Sequence, residues 1–79
     1  MAQIDLNNIK RIEKYRNTIH EKVYTTYTTF EHDGSKYVQF DTYGRVGREM
    51  PEKISQSSQL NKDSARRIAK LLIDTFDLL

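Results

Sequence analysis

Residues 21–43 read EKVYTTYTTFEH-DG-SKYVQFDTY, two runs rich in β-branched and aromatic residues on either side of Asp33-Gly34. Such residues favour a pleated, half-buried surface. Asp-Gly between two runs of this kind favours a two-residue type I′ turn, whose central positions both take positive φ. A two-residue loop sets His32 opposite Ser35, and every pair further along the hairpin follows from that one. One face then carries Val23, Tyr27 opposite Phe40, Thr29 opposite Val38, and Glu31 opposite Lys36. The other carries Tyr24 opposite Tyr43, Thr26 opposite Asp41, Thr28 opposite Gln39, and Phe30 opposite Tyr37.

Downstream, GRVGREMPEK at 44–53 holds two of the three glycines and the one proline, marking a long connection. KISQSSQL then alternates Ile54, Gln56, Ser58 and Leu60 against Ser55, Ser57 and Gln59, which predicts a third strand. Asn61 is a natural N-cap for a closing helix, in which Ala65, Ile68, Ala69, Leu72 and Phe76 recur at helical spacing. The Val23/Tyr27/Val38/Phe40 face is the expected partner of this stripe. Upstream, DLNNIKRIEKYR at 5–16 spaces Leu6, Ile9 and Ile12 three apart behind Asp5, which predicts a short basic helix. The reading is a single α+β domain over 1–79: a basic helix at 5–16, an antiparallel sheet of three or four strands at 21–60, and an amphipathic helix at 62–78 packed on the sheet.

Seventy-nine residues with 37% hydrophobic and 30% charged side chains support one small core. With no cysteine to cross-link it and no evident metal site, self-association as a homodimer is expected. The absence of cysteine and of an apolar leader points to the cytoplasm, and no run is long enough to span a membrane. The net charge of +2 is small for a dedicated DNA-binding protein. It is unevenly spread, with an acidic middle at 23–43 between basic flanks.

No catalytic constellation is legible. His20 and His32 stand outside any metal-binding spacing, and the serines at 55, 57, 58 and 64 lack both a GxSxG context and an assignable base. The expectation is a non-enzymatic protein without metal or cofactor. Two features suit binding. Gly44-Arg45-Val46-Gly47-Arg48 follows a strand, and its arginines suit phosphate, or else ion pairs with Asp41, Glu49 or Glu52 on a surface turn. The Tyr24, Phe30, Tyr37 and Tyr43 face, with Gln39 and Asp41, offers flat π surfaces and hydrogen-bonding groups, as base stacking requires. A tyrosine-rich surface serves a protein partner equally well.

The order of YVQFDTYGR at 37–45, then Pro51, Lys53, Ser55 and Leu60, then a polar cap and a helix reaching Phe76, resembles the PC4-type single-stranded-DNA-binding coactivators. The resemblance covers about residues 37–76, roughly half the chain. It implies an antiparallel sheet followed by a helix, a dimer joined through the helix, and single strands bound along the sheet. The family's basic, glycine-rich turn appears here only as MPEKISQSSQ. The same stretch also resembles small bacterial proteins of uncharacterised role. The residues expected to contact nucleic acid are Tyr24, Tyr37, Gln39, Tyr43, Arg45, Arg48 and Lys53. The alternative is a small protein-binding regulator or inhibitor using the same tyrosines.

Overall fold

A computed structural model describes residues 1–45 and 53–79. Residues 46–52, with Arg48, Glu49 and Glu52 of the connecting turn, lie outside the described residues.

The fold is α+β, a four-stranded, mostly antiparallel sheet with a C-terminal helix and a short N-terminal 3-10 turn. The strands are β1 (Ala2–Gln3), β2 (Val23–His32), β3 (Ser35–Arg45) and β4 (Ile54–Leu60), and the helix α1 is Lys62–Phe76. In space the strands run β1-β4-β3-β2. Asp33 and Gly34 both take positive φ, 50° and 79°, as a type I′ turn requires. The expected register holds from His32 opposite Ser35 back to Thr25 opposite Thr42. Beyond that it shifts. Val23 lies opposite Arg45, and Tyr43 pairs with Ile54 after Thr42 has paired with Gln56, so the sheet is irregular next to Gly44.

The N-terminal segment departs from the expected helix over 5–16. Asp5 does cap a turn, accepting from the Asn7 backbone at 3.0 Å, but the turn is a 3-10 helix of three residues, Leu6–Asn8. From Ile9 to Lys22 the chain has no regular helix or strand. A segment of this length is marginal as an isolated helix in water. The start of the segment is partly sheltered, with the 3-10 turn against α1 and Ile9 half-buried, but beyond it Ile12, Tyr15 and Ile19 are all exposed. Ahead of the turn, β1 runs parallel to β4, and the Ile4 backbone N–H donates to the Gln59 carbonyl at 2.9 Å.

The closing helix matches its sequence signature. The Asn61 side chain accepts from the Ser64 backbone at 2.9 Å while the Ser64 hydroxyl accepts from the Asn61 backbone at 3.0 Å, a reciprocal capping box. Ser64 is fully buried by this arrangement. The helix stripe, however, does not cover the sheet. α1 touches the end of β4 and the 3-10 turn, while Tyr27 is 69% exposed, Phe40 41% and Phe76 65%. Among the described residues no apolar side chain is buried. A folded chain of 9.3 kDa exposes about 5,000 Å², whereas this one exposes 7661 Å².

The turn yields the first prediction. An added Cβ at Gly34 meets no atom within 4 Å, so substitution there carries a backbone cost alone. Gly34→Val should lower stability by about 1–2 kcal/mol and Gly34→Asn by clearly less, because asparagine tolerates the left-handed region. Urea midpoints of the two variants check this.

Candidate functional site

On a strand, alternate residues share a face, so the register places Thr26, Thr28 and Phe30 of β2 beside Tyr37, Gln39 and Asp41 of β3, and past the register shift Tyr24 still meets Tyr43 ring to ring. β4 adds Ser57, opposite Asp41, and Gln59, opposite Gln39. These two β4 residues convert the face from a loose set of polar groups into a connected one.

The connection is a chain of donations that ends on a carboxylate. Gln59 Nε2 donates to Gln39 Oε1 at 2.8 Å, and Gln39 Nε2 donates to Asp41 Oδ1 at 2.9 Å. Ser57 Oγ donates to the same Asp41 oxygen at 2.6 Å. Asp41 and Ser57 are each only 6% exposed. Hydrogen bonds to a charged acceptor are the strong ones, and bonds linked in series polarise one another. The ladder therefore stiffens β3 against β4 where apolar burial is missing. It also occupies both ends of the Gln39 amide.

Aromatic pairs flank the ladder. Phe30 and Tyr37 stack with ring centroids 5.4 Å apart and planes 18° from parallel. Tyr24 and Tyr43 lie 5.3 Å apart, tilted by 55°, and the Tyr43 hydroxyl shares a 3.1 Å hydrogen bond with the Thr26 hydroxyl. Six residues along β2 separate the two pairs, about 20 Å at the strand rise. Tyr24 is the most open ring of the face at 57% exposed, while Tyr37 and Tyr43 are half-buried against their neighbours.

Two cationic positions of the expected set fall at one end. β3 ends at Arg45, opposite Val23, and exposed Lys53 directly precedes Ile54, the register partner of Tyr43. Both thus adjoin the Tyr24/Tyr43 pair, and Arg48 lies outside the described residues. The face so assembled brings together Tyr24, Tyr37, Gln39 and Tyr43 of the expected set. Phe30, Ser57 and Gln59 join them. The alternation of Ser57 and Gln59 in the 54–60 run carried the signal for the last two, but their partners on β3 were not readable, because the long connection leaves that register open.

His32 and Asp33 approach to 3.3 Å at the hairpin turn, both well exposed and away from the ladder. Among the described residues no three His, Cys, Asp or Glu side chains gather as a metal would need, and no helix is long and apolar enough to cross a membrane. What the face offers chemically is ring surface and directed hydrogen bonds. Compared with protein-family models, curated proteins and solved structures, the chain matches none.

The ladder is directly testable. Asp41→Ala removes the acceptor for two donors, Gln39 and buried Ser57, and should cost about 1–3 kcal/mol, the penalty for polar groups left unpaired. The double variant Asp41→Ala/Ser57→Ala should recover part of that loss. Chemical denaturation of the two variants beside the parent measures both.

Proposed function

We propose that this protein is a cytoplasmic, non-enzymatic binding module that takes single-stranded nucleic acid on its aromatic-polar sheet face. The observation that carries the proposal is the spacing of two ring pairs, Tyr24/Tyr43 and Phe30/Tyr37, on one rigid face with Arg45 and Lys53 at its end. Every base has a π face, so stacking binds single strands with little regard to sequence. A platform about 20 Å long suits the lower end of single-strand site sizes, about four nucleotides.

Charge sets the orientation. The Asp41 carboxylate in the middle of the face repels phosphate, so the backbone of a bound strand runs outside the ladder and reaches cations at the Tyr24/Tyr43 end. Lys22 directly precedes Val23, the register partner of Arg45, and so adds a third cationic position at that end. In this reading Tyr24, Tyr37 and Tyr43 stack bases, Arg45, Arg48 and Lys53 hold phosphates, and Gln39 keeps the floor rigid. The reading extends the PC4-type resemblance over 37–76, which is itself part of the proposal.

One observation favours the second reading, a small protein-binding regulator. The ladder occupies its own hydrogen-bonding groups, leaving open tyrosine as the chief offering of the face, and tyrosine is common among interface hot spots.

Fluorescence titration with a labelled single-stranded oligonucleotide at two salt concentrations separates the two. Binding should weaken as salt rises. Tyr24→Ala, at an open ring, should lose about 1–3 kcal/mol of affinity with the fold intact. Lys53→Ala should flatten the slope of log K against log salt by about 0.7, one phosphate contact on a single strand. Absence of binding down to low salt would overturn the nucleic-acid reading in favour of the protein partner.

A further inference from the structure

The two edges of the sheet differ in what they offer a further strand. On one side β1 is only two residues long, so it presents little backbone. Sheets usually avoid joining one another through short edge strands of this kind, or through lysine, proline or a bulge on a longer one. On the other side β2 is an edge of ten residues, Val23–His32, free of lysine, proline and glycine and uncharged from Val23 to Phe30. Its pairing with β3 is unbroken from Thr25 to His32, and Tyr27 in its middle is 69% exposed.

The backbone of this edge has a fixed polarity. Hydrogen-bonded and non-hydrogen-bonded pairs alternate along an antiparallel ladder. His32 and Ser35, which close the two-residue turn, are a hydrogen-bonded pair, so Phe30, Thr28 and Thr26 also bond inward to β3. Thr25, Tyr27, Thr29 and Glu31 therefore direct their N–H and C=O groups away from the sheet. The side chains are arranged symmetrically about Tyr27. Threonines stand two positions to either side, at 25 and 29, and rings stand three positions to either side, Tyr24 and Phe30. Both of these rings lie on the ladder face, and each already has a partner ring on β3.

We propose that two copies of this chain pair antiparallel along their β2 edges about a two-fold axis at Tyr27, joining the Tyr24/Tyr43 pair of one copy to the Phe30/Tyr37 pair of the other in a row of four rings. In this register Tyr27 meets its own copy, Thr25 meets Thr29, and the outward groups of these residues exchange about six hydrogen bonds. Tyr24 falls opposite Phe30 of the other copy, and aromatic couples are among those that stabilise adjacent strands. Moving the axis to Thr26 or Thr28 sets neither Tyr24 nor Phe30 against a ring. The contact is isologous, so the row occurs twice, each about 15 Å long over three strand spacings. Neither copy contains such a row alone. Helix α1 takes no part, in contrast to the helix-joined dimer that the PC4-type resemblance implies. Use of the rows by a bound strand rests on the nucleic-acid reading, whereas the pairing itself does not.

Cysteine placement reads the register, because the chain has no cysteine of its own. Under mild oxidation Tyr27→Cys, on the axis, should cross-link to itself. Thr25→Cys and Thr29→Cys should each cross-link poorly alone, since like positions lie about 13 Å apart, and readily when the two are mixed. In sedimentation velocity the parent chain should be a dimer. Thr25→Lys/Thr29→Lys and Thr25→Glu/Thr29→Glu should each weaken it by roughly 5- to 30-fold, because like charges then face each other twice. Mixing these two variants should restore association, with circular dichroism confirming that sheet and helix remain. A parent chain that stays monomeric across the concentration range overturns the inference. So does a dimer indifferent to both charge variants, or self-cross-linking of Thr25→Cys equal to that of Tyr27→Cys. No nucleic acid enters these measurements, so failure of the nucleic-acid reading and failure of the pairing are seen separately.

Discussion

Two residues in the left-handed region, Asp33 and Gly34, determine which side chains this protein shows on which side. A two-residue turn admits one pairing of the strands that flank it, and a slip of one position would exchange the two faces completely. Because His32 meets Ser35, Asp41 falls on the same side as Gln39, Tyr37 and Tyr43, and Phe40 falls on the other with Val38. The ladder, both aromatic pairs and the open apolar face all descend from that pairing. β4 inherits it, since it pairs with β3 in a register that sets Ser57 against Asp41 and Gln59 against Gln39.

The sheet is held in an unusual balance. Small domains ordinarily rest on a buried apolar cluster, whereas here the most buried side chains are Asp41, Ser57 and Ser64. Two of these belong to the carboxylate ladder and the third to the helix cap, so the polar groups that fix geometry are sheltered while the apolar ones among the described residues are half-buried or exposed. Buried hydrogen bonds of this kind define a structure well but contribute modestly to net stability, about 0.5–1.5 kcal/mol each. Chain entropy of about 1–2 kcal/mol per ordered residue has to be met elsewhere. Tyr27, Phe40, Leu72 and Phe76 stay exposed, so the apolar burial that usually meets this cost is small in the single chain.

Where sequence reasoning succeeded, a local signal decided the outcome. Asp-Gly carried the hairpin, and Asn61 with Ser64 carried the start of α1. Where it failed, the deciding contact was distant or missing. β1 is two residues long and exists because Ile4 and its neighbours reach β4 some fifty-five positions later, too short a run to show any period. The 5–16 segment has helical spacing, yet Asn7 and Asn8 are weak helix formers and the apolar side beyond Ile9 stays exposed. Gly44 hinted at the irregularity near Tyr43, but a glycine alone does not say which strand gains the extra residue. As for the face, its aromatic members were readable from alternation along one hairpin. The engagement of Gln39 by Gln59 was not, because it depends on the register between β3 and β4.

The two exposed surfaces differ in chemistry in a way that separates their tasks. The ladder face has its polar groups internally paired and its rings at the two ends, so a partner there gains stacking without disturbing what stiffens the sheet. The opposite face shows Tyr27, Phe40, Val38 and Leu60, with one cross-strand couple of opposite charge, Glu31 and Lys36, toward the turn. A surface that is mostly uncharged and carries both signs at its rim does not suit a polyanion, which needs one sign. In the proposed reading the grip on an anionic strand comes from stacked rings rather than from net charge, so a total of only +2 is no obstacle, and the cations need only hold the strand at the ends.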